Sequence, residues 1–183
     1  GMTSQRTRTR MIERLRSEGI RNERVLAAIA AVPRHLFVEE ALASRAYEDS
    51  ALPLGFAQTI SQPYVVAHMI EILLEGRKLG KTLEVGAGSG YQAAVLAQLT
   101  PEVYAVERIE PLLARAKLNL RAIREFRVRL KYADGALGLP EAAPFDTIIL
   151  AAAATHVPPA LLQQLALGGK MLLPLGSSEQ NLL

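Results

Sequence analysis

The sequence predicts an α/β protein with a doubly wound, mainly parallel sheet that follows an N-terminal helical segment. From residue 81 onward, short apolar strands alternate with amphipathic helices, which is the pattern of parallel strands joined by right-handed crossovers. Half of the 183 residues are apolar, so the chain can bury a sizeable core as one compact unit. We divide it into residues 1–62, a helical segment with a polar loop, and residues 63–183, the α/β domain.

The first segment is expected to contain three helices. Thr3 or Ser4 can cap the first helix, which ends near Gly19. Asn22 can cap the second helix, whose apolar residues recur at helical spacing. Residues 34–47 are expected to form a third, short helix.

Residues 50–70 contain no Asp, Glu, Lys or Arg, although 21% of the chain is charged. The middle of this stretch reads FAQTISQPYVV, and its hydrogen-bonding side chains lie between Pro53 and Pro63. It is too broken for a long helix and too polar for an ordinary core strand, so we expect a loop. Pro63 stands where the next helix can begin.

The second segment alternates strands and helices. The expected elements are strand 82–86, helix 91–99, strand 103–107, helix 110–123, strand 127–132, strand 145–151, helix 159–167 and strand 170–175. RVRLKY alternates cations with apolar residues and is expected at an edge of the sheet, whereas TIILA is typical of a buried central strand.

Composition excludes several classes of function. The chain has no Cys, which rules out disulfides, thiolate metal sites and a cysteine nucleophile, and its three His residues are scattered. The absence of Cys fits a reducing cytoplasm, and the scattered His residues indicate no metal site. Since no run of apolar residues is long enough to cross a membrane, we expect a soluble protein. The net charge of +3 arises in residues 1–24, whose seven Arg and three Glu favour a solvated helix face over a nucleic-acid contact.

The motif LEVGAGSGYQ lies where the first strand of the α/β domain turns into a helix. Its small residues are Gly86, Gly88, Ser89 and Gly90. Glycines at this place let the backbone turn tightly and approach a ligand closely. Tyr91 stands where a dinucleotide fingerprint needs a third glycine, so the loop favours a nucleoside ligand without a pyrophosphate.

Three carboxylates accompany the glycine loop. Glu107 ends the second strand and can accept hydrogen bonds from ribose hydroxyls, although it could instead pair with Arg108 or cap the next helix. Asp134 and Gly135 form a turn that could accept from an adenine amino group, or could be a plain turn. Glu84 lies inside a strand, where a carboxylate is costly unless it holds a partner such as an ammonium group. S-adenosylmethionine has this amine, ribose and adenine.

Several segments together resemble the protein-L-isoaspartate O-methyltransferase family, whose members are class I methyltransferases with a Rossmann-like fold. The matching segments are YEDSALPLGFAQTISQPYVVAHM, LEVGAGSGYQAAVLA, VYAVER, FDTIILAAAATHVPPALLQQL and LGGKMLLPLG. The resemblance implies methyl transfer from S-adenosylmethionine to the α-carboxylate of L-isoaspartyl residues in damaged proteins, with S-adenosylhomocysteine as product. The methyl ester then closes to a succinimide, whose hydrolysis partly restores normal aspartate.

The resemblance also implies roles for individual residues. Ser61 becomes the active-site serine, read as a donor that positions the substrate carboxylate, and Gln58, Thr59 and Ile60 line the same wall beside the cofactor. The glycine loop becomes the methionine side of the cofactor site, Glu107 the ribose acceptor and Asp134 with Gly135 the adenine turn. An uncharged wall suits this reaction, because it must approach both a sulfonium cation and a carboxylate.

Two departures from the family pattern stand out. Some relatives carry a His shortly after the Ser-x-Pro element, whereas this chain has Tyr64, Val65 and Val66 there, so no role for that His is transferred. The family continues with further strands after the position of Leu183, so C-terminal strands are expected to be missing.

Two alternative functions remain open at this point. One is a class I methyltransferase that acts on a small molecule or RNA, and the other is a non-catalytic binding protein that has kept the fold. The expected partners are damaged proteins or peptides with L-isoaspartate, with no nucleic acid and no membrane, and a monomer is expected.

Overall fold

The computed structural model describes residues 5–152, 154–175 and 181–182, so the predicted caps Thr3 and Ser4 lie outside the described residues. The helices are α1 Gln5–Ser17, α2 Glu23–Ala31, α3 Pro63–Leu74, α4 Tyr91–Ala97, α5 Glu110–Ala122 and α6 Pro159–Gln163. The strands are β1 Leu52–Gly55, β2 Gln58–Ile60, β3 Thr82–Val85, β4 Val103–Glu107, β5 Val128–Tyr132, β6 Phe145–Leu150, β7 Leu165–Leu172, β8 Pro174–Leu175 and β9 Asn181–Leu182. No helix in this part of the chain is long and apolar enough to span a membrane.

Five parallel strands form the central sheet in the order β5-β4-β3-β6-β7. The chain runs outward from β3 through β4 to β5 and then returns to β6 on the other side of β3. The predicted doubly wound parallel sheet is therefore confirmed, with β5 at an edge and β6 inside. The carboxyl ends of β3 and β6 meet at the reversal of strand order, which is where open α/β sheets bind ligands.

Two hydrophobic clusters cover the faces of this sheet. Neighbouring residues of β6 divide between them, because Ile149 belongs to the larger cluster and Ile148 to the smaller. The larger cluster also takes apolar residues from α1, α2, α3 and α4, and the smaller one contains Leu161 of α6. The N-terminal helices therefore share one core with the α/β domain.

The N-terminal helices follow the predicted pattern until Pro33. The side-chain oxygen of Asn22 accepts hydrogen bonds from the backbone N–H groups of Arg24 at 2.9 Å and Val25 at 3.3 Å, as expected of a helix cap. The predicted third helix is wrong. Two 3₁₀ turns, Arg34–Phe37 and Glu40–Arg45, replace it because extended backbone at Val38 separates them.

The uncharged stretch is a β-hairpin, so the prediction of a loop is wrong here. β1 and β2 pair antiparallel, and Leu52 and Ile60 face the core, whereas Pro53 and Thr59 face outward. Phe56 and Ala57 connect the strands with φ angles of 57° and 58°, which fits a tight two-residue hairpin turn. The sequence conceals this turn, since Phe-Ala is not a usual pair for positive φ.

The last helix and strand also differ from their predicted bounds. α6 ends at Gln163, and β7 already begins at Leu165, where it pairs with Phe145. The register between β6 and β7 then shifts, and Gly168 adopts a φ of 77° within β7. β8 and β9 form a separate antiparallel pair outside the main sheet.

Candidate active site

Two adjoining cavities lie at the carboxyl ends of the central strands. We call the larger one the outer cleft; its volume is about 250 Å³, and the predicted site residues on its lining are Gln58, Gly86, Glu107, Asp134 and Gly135. We call the smaller one the inner pocket; its volume is about 40 Å³, and its lining includes Thr59, Ile60, Ser61, Glu84, Gly88 and Ser89. Gly86 lines both cavities, so a single elongated ligand could reach from one into the other.

The glycine loop between β3 and α4 forms the border of the two cavities. Gly86, Gly88 and Gly90 have φ angles of 93°, 56° and 93°, a backbone conformation that other residues rarely adopt. The backbone N–H groups of Gly86 and Ala87 donate to the carbonyl of Val106 at 2.9 and 3.0 Å. These contacts fix the loop against β4 and keep its remaining backbone next to the cavities.

The side chain of Glu107, at the end of β4, also holds the glycine loop in place. Its Oε1 accepts from the backbone N–H of Gly88 and its Oε2 from that of Ile109, both at 2.9 Å. The residue is only 6% exposed, yet it lines the outer cleft. Among the described ion pairs none joins Glu107 to Arg108, so the simple surface pairing considered from the sequence does not occur there.

Glu84 is a fully buried carboxylate inside β3 and on the lining of the inner pocket. Neither of its oxygens, nor Nε2 of neighbouring Gln92, forms a hydrogen bond of good geometry with a described residue, although the Gln92 side chain is close enough to favour the ionised form of Glu84. Burial raises the pKa of Glu84 to about 8, repulsion from Glu107 adds to this rise, and the Gln92 side chain opposes it. An unpartnered buried acid at a cavity wall is suited to receive a cationic group.

Asp134 and Gly135 follow β5 at the far end of the outer cleft. Oδ1 of Asp134 accepts from the backbone N–H of Ala136 at 3.0 Å and so caps a short 3₁₀ turn over Gly135–Leu137. A Cβ atom at Gly135 would collide with Cγ1 of Val85, so glycine is needed for the turn to pack against β3. The Asp134 carboxylate is exposed beside the cleft.

The β1–β2 hairpin supplies the opposite wall. Thr59, Ile60 and Ser61 line the inner pocket, whereas Gln58 faces the outer cleft, so the four residues do not share one cavity. Helix α5 holds the backbone of the hairpin in place, because the Arg115 guanidinium donates a hydrogen bond of 2.7 Å to the carbonyl of Leu54 in β1. A buried guanidinium, that of Arg34, donates to the carbonyl of Ser61 at 2.9 Å.

Sequence reasoning overlooked two polar residues at the inner pocket. Gln92 follows the glycine loop directly and lines the pocket, and this position in the motif was the available signal. Arg34 donates to the carbonyl of Ser61, and the only sequence feature that could have pointed to it was a charged residue among the apolar residues of VPRHLF.

In the described ranges no three His, Asp or Glu side chains are grouped in a way that could hold a metal ion. His68 instead stacks on Tyr64, with 5.5 Å between ring centroids.

Comparisons with known proteins agree with this geometry. The sequence profile of the family described as protein-L-isoaspartate(D-aspartate) O-methyltransferase matches residues 6–183. A protein-L-isoaspartate O-methyltransferase of Dechloromonas aromatica is 75% identical over 183 residues, which are all of this chain and 85% of that protein. The protein of the same name from Aromatoleum aromaticum is 65% identical over 182 residues and is covered to 84% of its length.

Solved structures show the same architecture. A protein-L-isoaspartate O-methyltransferase with 29% identity superposes with a TM-score of 0.83 over 92% of this chain and 55% of that chain. A Plasmodium falciparum protein described by the same activity superposes with a TM-score of 0.81 at 23% identity, which shows the fold alone; the match covers 94% of this chain and 86% of that one. From the profile, the relatives and the fold together, we conclude that this chain belongs to the protein-L-isoaspartate(D-aspartate) O-methyltransferase family.

Proposed function

We propose that this protein uses S-adenosylmethionine to methylate the α-carboxylate of L-isoaspartyl residues in damaged proteins. The observation that carries the proposal is that Ser61, which directly follows the hairpin, and the buried carboxyl group of Glu84 line one small pocket, and that this pocket shares Gly86 with the larger outer cleft. The proposal agrees with the family and with the named relatives at 75% and 65% identity.

The residues present fit S-adenosylmethionine, which supplies an electrophilic methyl group when it is bound. Glu84 would hold the ammonium group, because its carboxylate is buried without a partner. Glu107 would accept the ribose hydroxyls through the outer cleft, and Asp134 would accept from the adenine amino group. The loop Gly86–Gly90 would carry the intervening chain, since its glycine backbone lets a ligand approach closely.

The chain's own residues then act by positioning. A carboxylate is ionised at neutral pH, so the reaction needs no general base and no activated side-chain nucleophile. We assign to the Ser61 hydroxyl a hydrogen bond to the substrate carboxylate, which holds one oxygen toward the methyl group. The uncharged residues of the hairpin line this pocket and neither neutralise the carboxylate nor repel the cofactor.

The basic N-terminal helix is not needed for this reaction. Exposed ion pairs join Arg16 to Glu13 and Glu23, and Arg14 lies 3.7 Å from Glu18. Arg14 and Arg16 thus have carboxylate neighbours, which is typical of a solvated helix surface. We therefore propose damaged proteins or peptides as partners, without nucleic acid or membrane, and a cytoplasmic monomer as the working form.

The decisive experiment compares two peptides that differ only at one residue. Purified protein receives labelled S-adenosylmethionine with an L-isoaspartyl peptide or with its normal aspartyl twin. Base-labile methyl ester on the isoaspartyl peptide alone is the expected result. Label on RNA or on small molecules, with neither peptide modified, would favour another class I methyltransferase. Cofactor binding without any transfer would favour a binding protein.

A further inference from the structure

Arg34 is a charged side chain in the interior of the protein, behind the wall of the inner pocket. It begins the 3₁₀ turn Arg34–Phe37 and is 0% exposed. Its Nε donates to the carbonyl of Ala46 at 2.6 Å, and its Nη2 donates to the carbonyl of Ser61 at 2.9 Å. One guanidinium therefore ties the backbone of the N-terminal segment to that of the pocket wall.

The charge of Arg34 is not neutralised by an ion pair within the described residues. Its Nη1 is buried without a hydrogen-bond partner. Tyr91, Tyr47 and Asp49 favour its charged form without forming an ion pair with it, and Arg8 is a second cation that acts on Tyr91. Burial lowers the pKa of Arg34, as expected for a cation removed from water. A buried charge of this kind is unfavourable for folding unless another requirement maintains it.

Tyr91 connects this cation to the inner pocket. The guanidinium carbon of Arg34 lies 4.8 Å from the centroid of the Tyr91 ring, a cation–π arrangement, and Phe37 packs edge-on against the same ring with 5.7 Å between centroids. Tyr91 lines the inner pocket together with Ser61. The positive charge therefore contacts two residues of the pocket wall, Ser61 and Tyr91.

We propose that Arg34 is a positioning residue for the substrate carboxylate, an inference that rests on the function proposed above. Its Nη2 hydrogen bond fixes the backbone of Ser61, its Nε hydrogen bond anchors the guanidinium to Ala46, and its charge, which no described ion pair neutralises, makes the inner pocket favourable for an anionic oxygen next to the Ser61 hydroxyl. Charge in a low-dielectric interior acts over longer distances than charge at the surface, so direct contact with the substrate is not needed. Because Arg34 supplies the positive charge from behind the wall, the hairpin needs no charged residue of its own.

The test compares a peptide that carries the α-carboxylate with a matched peptide that carries an α-carboxamide. The first is the L-isoaspartyl substrate, and the second is used as a competitive inhibitor. Arg34→Met removes the charge, Arg34→Lys keeps it but cannot hold both carbonyls, and Arg24→Met removes a charge from an exposed position of α2. KM, kcat, the inhibition constant of the carboxamide and the affinity for S-adenosylhomocysteine are measured for each protein, and circular dichroism reports folding.

We expect Arg34→Met to raise KM for the carboxylate peptide about tenfold, while the binding of the carboxamide peptide and of S-adenosylhomocysteine changes little. Arg34→Lys should keep the preference for the carboxylate but lose kcat, and Arg24→Met should behave like the unchanged protein. Equal weakening of both peptides in Arg34→Met, or no change, would overturn the proposal. If Arg34→Met does not fold, loss of the carboxylate preference in Arg34→Lys overturns it.

The same measurements separate this inference from the function on which it rests. Failure of the unchanged protein to methylate the isoaspartyl peptide would reject the proposed function, and the inference would fall with it. Normal methylation by the unchanged protein, combined with Arg34 variants that treat the two peptides alike, would reject only the role of Arg34.

Discussion

The carboxylate of Glu107 accepts a hydrogen bond of 2.9 Å from the backbone N–H of Gly88. A side chain at the end of β4 therefore holds the glycine loop, which follows β3, in position. A second hydrogen bond of the same length, from Ile109, orients the other carboxylate oxygen. Glu107 thus has a structural task in the protein itself, in addition to the ribose contact that we propose, and its substitution should affect both.

Glu107→Ala should weaken S-adenosylhomocysteine binding by about tenfold or more, because hydrogen bonds to an ionised group are lost and the Gly88 N–H is left without its acceptor. Titration calorimetry measures the affinity, and thermal denaturation should show a lower midpoint. Glu102→Ala is the matched control, since Glu102 is exposed and precedes the opposite end of β4. Undiminished affinity of Glu107→Ala would contradict the ribose assignment.

Ser61→Ala should leave the affinity for S-adenosylhomocysteine nearly unchanged and lower kcat on an isoaspartyl peptide by about tenfold, because the lost hydrogen bond is made to the substrate. Its neighbour Gln62 lines neither cavity, so Gln62→Ala should keep normal turnover. Steady-state kinetics at saturating peptide distinguish the two variants. Full activity of Ser61→Ala under these conditions would contradict the proposed hydrogen bond between Ser61 and the substrate carboxylate.

Glu84 should make the stability of the ligand-free protein depend on pH. Its folded pKa is raised from 4.5 to about 8, so between these values the folded protein binds more protons than the unfolded chain. The contribution of Glu84 to the free energy of unfolding is fully present below pH 4.5, and it is lost as the pH rises through about 8. Urea unfolding from about pH 5 to about pH 8 should show a steeper fall in the free energy of unfolding for the unchanged protein than for Glu84→Gln. Identical slopes would show that Glu84 is not buried as a neutral acid.

The same carboxyl should release a proton when a cationic ligand enters the inner pocket. An ammonium group close to Glu84 favours the ionised form and lowers its pKa. Calorimetric titration with S-adenosylhomocysteine near neutral pH, repeated in buffers with different ionisation enthalpies, should therefore reveal proton release. Glu84→Gln should lose that dependence on the buffer. Equal release by both proteins would place the ammonium group elsewhere.

Asp134→Asn should alter the choice of base in the ligand with little effect on the fold. The Asn oxygen can still accept from the Ala136 N–H and keep the turn, whereas the amide nitrogen would meet the adenine amino group as a second donor. We expect weaker binding of S-adenosylhomocysteine and a gain for S-inosylhomocysteine, whose base offers an acceptor at that position. Competition of the two ligands against a fluorescent analogue measures the ratio. An unchanged ratio would argue against contact between Asp134 and the base.

The sequence by itself determined the parts of this protein that depend on local pattern. Alternation of apolar and cationic residues in RVRLKY predicted the edge strand, whereas the spacing from the glycine loop to Glu107 predicted a ribose contact and not the hydrogen bond between Gly88 and Glu107 that the structure shows. The family itself could be recognised from contiguous segments, above all residues 47–69, which are more specific than the glycine loop that many methyltransferases share.

Only the tertiary structure decided which distant groups meet. The hairpin at residues 52–60 escaped prediction because Phe56 and Ala57 have positive φ angles, which non-glycine residues rarely adopt, and because the burial of Leu52 and Ile60 depends on the rest of the core. The hydrogen bond between Arg34 and the carbonyl of Ser61 joins residues 27 positions apart, and no periodic pattern of apolar residues in the sequence predicts it. Burial, which removes the Arg34 guanidinium from water and raises the pKa of Glu84, is a property of the assembled core and not of any short segment.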